Sequence, residues 1–140
     1  MSNIHALATL SPFNNWLNFK LENFENGSAK LVLPWSDLFI GDPVKAAIHG
    51  GILAALIDAT GGAACMSLLG KSDGISTIDL QINYLEPGYK SDFYCEAKTL
   101  RMGKRVGTAR MEVYSNLDSE NPTLVAIGTG VYNLVRQKAE

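Results

Sequence analysis

The chain has 140 residues, 46% hydrophobic and 19% charged, with a net charge of −2. That is the composition and length of one folded domain, taken as 1–140, and it excludes a disordered chain. No stretch gathers Lys and Arg into a basic face, which excludes a nucleic-acid binder that works by counterion release. The two cysteines, Cys65 and Cys95, and the two histidines, His5 and His49, lack metal-ligand spacing, so neither a metal nor another cofactor is expected.

Residues 1–10 have no basic start followed by an apolar core, and the C-terminus carries no lipidation signal. The expected location is the cytoplasm, with reduced thiols. In chain order, residues 4–10 read as a short helix that stops before Pro12. Residues 17–24 and 28–34 read as a hairpin around Glu25-Asn26-Gly27, because Asn-Gly tolerates the positive φ of a tight turn. Residues 37–47, with Gly41 and Pro43, read as a loop. Residues 50–70, GGILAALIDATGGAACMSLLG, carry one formal charge, Asp58. Their length would suffice for a membrane span. Their five glycines and aspartate, and the sheet-like alternation after them, predict a buried central helix instead.

Four strands follow. In residues 76–85, Ile78, Leu80, Ile82 and Tyr84 alternate with Thr77, Asp79, Gln81 and Asn83 until Glu86-Pro87-Gly88 breaks the run. Residues 91–101 form the next strand, then Met102-Gly103-Lys104 a turn or bulge. Residues 106–115, a polar loop over 116–122, and residues 123–135 complete the pattern. Two strands, one helix and four strands without βαβ alternation predict an α+β fold. Its antiparallel sheet has about six strands, with one face on the helix.

Chemistry concentrates at the helix. His49-Gly50-Gly51 marks its start, where amide N–H groups lack partners and the helix dipole is positive. Such amides suit an oxygen that gains negative charge. Taken alone, the same triplet is an ordinary glycine entry into a packed helix. Asp58 lies nine residues beyond His49. A carboxylate in so apolar a segment is costly, and it reads either as a general base or nucleophile or as one satisfied by a hydroxyl or amide at an interface. Around it on the helix stand Gly51, Ala54, Ala55, Gly61, Gly62 and Cys65, a small face that admits another helix or a slender ligand, or simply packs tightly. Simple alternation puts Ser76 on the face of Ile78, Leu80 and Ile82, near Asp58. No Gly-x-Ser-x-Gly elbow supports a serine hydrolase.

The combination of His49-Gly50-Gly51, Asp58, Ser76-Thr77-Ile78-Asp79-Leu80, Asn83-Tyr84-Leu85-Glu86-Pro87-Gly88, Glu96-Ala97-Lys98 to Gly103-Lys104, and Val125-Ala126-Ile127-Gly128-Thr129-Gly130 resembles the phenylacetate-pathway (PaaI-like) group of hotdog-fold acyl-CoA thioesterases. The resemblance implies a long helix wrapped by a curved antiparallel sheet, assembled as a homodimer and further into a tetramer. It implies acyl-CoA as substrate, with no nucleic acid or membrane as partner. Gly51, helped by Gly50 and His49, would polarise the thioester carbonyl. Asp58 of the other subunit would activate water or attack directly, and Ser76 would hold the water or the carboxylate. Gly103, Lys104 and Arg105 would meet the coenzyme A phosphates. The chain departs from the group at Pro43, where relatives often carry an amide side chain. A dehydratase fits the histidine pattern less well. A non-catalytic acyl-CoA binding or sensing module is the alternative from another class, since a fold alone does not fix a function.

Overall fold

In the computed structural model, residues 11–137 are described. The short helix expected over residues 4–10 lies outside them. The described chain opens on α1 (Pro12–Trp16), whose cap Ser11 accepts a hydrogen bond from the Asn14 amide. Proline opens the helix, where a missing N–H leaves no helical bond unmade. The expected hairpin follows as β1 (Lys20–Glu25) and β2 (Ser28–Leu33). Its turn residues Asn26 and Gly27 have φ of +50° and +83°, the left-handed pair that a two-residue hairpin turn requires. The Gly27 amide donates to Ser67 Oγ at 2.7 Å, which pins the hairpin tip to the far end of the long helix.

The segment read as a loop holds more order than expected. A 3-10 turn (Asp37–Phe39) leads into a small antiparallel ribbon of β3 (Ile40–Asp42) and β4 (Ala47–Ile48). The ribbon delivers the chain to α2 (Gly50–Met66), the predicted helix. It stops at Met66 rather than running to Gly70. Ser67 Oγ donates back to the Ala64 carbonyl at 2.7 Å while accepting from Gly27, so the last turn is closed by a side chain and the hairpin tip together.

β5 (Gly74–Tyr84), β6 (Phe93–Met102), β7 (Val106–Ser115) and β8 (Thr123–Val135) complete a sheet of six strands in the order β1-β2-β6-β7-β8-β5, antiparallel throughout. Register shifts in β1, β5, β6 and β8 mark bulges, which strengthen twist and curve the sheet around the helix. Leu53, Leu56, Ile57, Ala63 and Ala64 of α2 are buried against Leu31, Leu33, Phe93, Met111, Val113 and Tyr132 of the sheet. Each large aliphatic side chain so buried contributes about 1.5–3 kcal/mol. Among the described residues no helix is long and apolar enough to cross a membrane.

Candidate active site

The start of α2 is held from three sides. The His49 amide donates to the Phe39 carbonyl at 2.7 Å, and the Ile48 amide to the Gly88 carbonyl at 2.8 Å. From the end of β5, the Tyr84 hydroxyl donates to the Gly50 carbonyl at 2.7 Å. His49 is the cap, and its Nδ1 accepts the Gly51 amide at 2.8 Å. A ring nitrogen that accepts carries no proton, so the neutral ring holds its proton on Nε2. The amide expected to polarise a carbonyl, that of Gly51, is therefore engaged by His49. The half-buried Gly50 amide has no acceptor within the chain among the described residues, and it stands at the positive end of the helix dipole.

Asp58 lies further along α2, half-buried. Its carboxylate Oδ1 accepts a hydrogen bond at 2.7 Å from the hydroxyl of Thr77, not of Ser76. The reason is a bulge. Thr77 pairs with Tyr132 and Asp79 with Val131, which leaves Ile78 as an extra residue between them. The bulge shifts the alternation by one, so the face that carries Leu80 and Ile82 continues through Thr77 and Ile75. Ser76 pairs with Asn133 and takes the opposite face. Simple alternation therefore fails at the one point where the strand meets the carboxylate.

The small face around Asp58 is divided. Gly61 and Cys65 are buried in the chain's own core, where a side chain on Gly61 would collide with Met111 and Tyr132. Ala54, Ala55, Asp58 and Gly62 remain half-exposed. Between Gly50 and Asp58 the helix rises about 12 Å, so the free amide and the carboxylate of one chain cannot serve one reacting atom.

Gly103, Lys104 and Arg105 form the turn between β6 and β7. The Gly103 amide donates to the Val106 carbonyl at 2.8 Å. Arg136 clamps the turn, with Nε on the Lys104 carbonyl and Nη2 on the Gly103 carbonyl, each at 3.1 Å. Val106 and Ser76 both pair with Asn133 from opposite sides of β8, so this basic turn lies at the Thr77 end of the sheet. At the other end, a hollow of about 370 Å³ opens beside Gly50, lined by Ala47, Ile48, Leu53, Tyr84, Leu85 and Pro87 among others. A larger hollow of about 740 Å³ sits over Lys30, Glu96, Lys98 and Arg110, away from the residues above. Thr77 and Tyr84 were absent from the sequence-based set. The aromatic end of the alternating strand was the available signal for Tyr84.

Comparison with known proteins follows the same lines. Residues 46–120 match the family model described as the thioesterase superfamily. The chain is 31% identical over 134 residues to the medium/long-chain acyl-CoA thioesterase YigI of Escherichia coli K12, covering 86% of this chain and 84% of that one. Among solved structures, a thioesterase family protein from Silicibacter pomeroyi superposes with a TM-score of 0.89 at 18% identity, over 97% of this chain and 98% of the other. The E. coli PaaI protein from the phenylacetic acid degradation operon superposes with a TM-score of 0.82 at 20% identity, over 99% and 93%. The sheet packed on one long helix is thus a shared fold, and the chain belongs to the thioesterase superfamily, with the hotdog fold.

Proposed function

We propose that the chain hydrolyses acyl-CoA thioesters, with Asp58 as the general base or nucleophile and the Gly50 amide as the donor to the developing oxyanion. The observation that carries this reading is the Asp58 carboxylate held by Thr77 at 2.7 Å in an otherwise apolar helix. A hydroxyl on one oxygen fixes the carboxylate's orientation and leaves the other oxygen free to meet water or the carbonyl carbon. The Gly50 N–H is preorganised by its helix and costs no reorganisation when charge develops. His49 serves here by capping. By engaging the Gly51 amide it leaves Gly50 as the donor at the helix mouth.

The apolar hollow beside Gly50 suits an apolar acyl group, and the basic Gly103-Lys104-Arg105 turn suits coenzyme A phosphates. Because amide and carboxylate lie about 12 Å apart in one chain, each site takes Gly50 from one subunit and Asp58 from its partner. Support for pairing comes from β5, an edge strand whose outer side is unpaired among the described residues. It carries the exposed Ile78 and Tyr84, 57% and 52% accessible, with Leu85 just beyond at 49%. Long exposed edges of this kind invite a second strand.

The test is release of free thiol from acetyl-, octanoyl-, palmitoyl- and phenylacetyl-CoA by the purified protein. Turnover of at least one is expected, and Asp58→Asn should lower it by roughly 10²–10⁴-fold while the protein stays folded. Binding without turnover would make the chain a sensing module instead. Near-wild-type turnover by Asp58→Asn would remove the carboxylate from the mechanism.

A further inference from the structure

We propose that Tyr132 is a positioning residue for the Asp58 carboxylate, acting through the backbone of α2; the inference rests on the role given to Asp58 above. Tyr132 lies in β8 and is 1% exposed. A phenol hydroxyl buried this deeply needs a partner. It finds one in the main-chain carbonyl of Asp58, to which it donates at 3.1 Å. Asp58 and Gly62 are four residues apart, the carbonyl and amide that a regular helix joins directly. The hydroxyl thus binds the carbonyl end of the rung from Asp58 to Gly62 and ties this turn of the helix to β8.

Two glycines make room for it. A Cβ on Gly61 would meet the Tyr132 hydroxyl, and one on Gly130 would stand 2.6 Å from the Tyr132 ring. Glycine inside a helix costs about 1 kcal/mol relative to alanine, and at Gly61 that cost accompanies the close approach of Tyr132 and Met111. The register supplies the second half of the argument. Tyr132 is the direct cross-strand partner of Thr77, immediately before the Ile78 bulge. One side chain therefore touches the backbone of Asp58 and flanks the residue that holds the Asp58 carboxylate. It sets the separation between the helix turn and the strand across which the Thr77–Asp58 hydrogen bond is made.

The test is a kinetic cycle on the full-length protein, using whichever of the four acyl-CoAs above the wild type turns over fastest. Tyr132→Phe keeps the ring and removes the hydroxyl. It should lower kcat about tenfold, the scale of one lost hydrogen bond that orients a reacting group, with KM within about twofold. In the Asp58→Asn background the same substitution should add less than about twofold, since there is no carboxylate left to position. Tyr132→Met, which also lacks the hydroxyl, should give the same pattern and serves as the readout where the Phe variant does not fold. A kcat within twofold of wild type would overturn the proposal. So would a tenfold loss that recurs in the Asp58→Asn background, or a loss carried by KM. Asp58→Asn as active as wild type is the distinct failure of the underlying mechanism, and it removes the role of Tyr132 with it.

Discussion

Thr77 reaches Asp58 because Ile78 is left unpaired in β5. Every residue on that strand from Leu80 onward obeys the alternation legible in the sequence; every residue before the bulge is out of phase with it. A bulge is a property of two strands, arising where one carries a residue that the other does not match, so the strand's own sequence does not locate it. The same holds at the helix start. His49-Gly50-Gly51 is recognisable as an oxyanion-type motif, yet which amide is free depends on where the His49 ring turns, and Nδ1 turns to Gly51. The residue-scale expectation follows directly. Thr77→Val should lower kcat about tenfold by releasing the carboxylate, whereas Ser76→Ala, on the opposite face, should stay within about twofold of wild type. Thiol-release kinetics on the two variants decide it. The reverse order would mean that the hydroxyl acting on Asp58 is that of Ser76.

At the scale of elements, the long helix and the four strands after it were legible because their periodicities differ and glycine or proline punctuates each junction. The ribbon of β3 and β4 was not legible, since its three- and two-residue strands are too short to show a period. The helix end was misjudged because its stop is tertiary, set by Ser67 and the Gly27 hairpin tip. How tightly these elements close on one another has a measurable consequence in β6. Cys95 stands between Leu31 of β2 and Val113 of β7 and is fully buried. Burial pushes its thiol up from 9.0 to about 12. The folded chain then holds this proton more tightly than the unfolded chain. Its contribution to stability is complete below about pH 9 and is lost as pH rises toward about 12. The unfolding free energy from urea titrations should therefore fall across that window, and Cys95→Val should make the fall shallower. It should not abolish it, because Tyr114, hydrogen-bonded to Glu112, is also raised to about 12. An unchanged slope in Cys95→Val would mean that the β6 thiol meets solvent in the folded protein.

For the whole molecule, the decisive quantity is the separation of about 12 Å between the Gly50 amide and Asp58 along one helix. On the proposed mechanism a single chain cannot bring both to one thioester, and two chains related by a two-fold axis would form two equivalent sites. The claim is best tested by complementation between two inactive variants. Asp58→Asn removes the carboxylate. Gly50→Pro removes one N–H at the first helical position, which proline favours in helices generally, with its Cβ 3.2 Å from the Tyr84 ring, which must give slightly; His49, at φ −63° and ψ 129°, already has the extended conformation that a residue before proline prefers. Each variant alone should be nearly inactive. Co-refolded in equal amounts, about half of the dimers are mixed, and each mixed dimer holds one site with both groups intact. The account predicts the return of roughly a quarter of wild-type thiol release. No recovery, with folded mixed dimers demonstrated by native mass measurement, would contradict it and place both groups of each site in a single subunit.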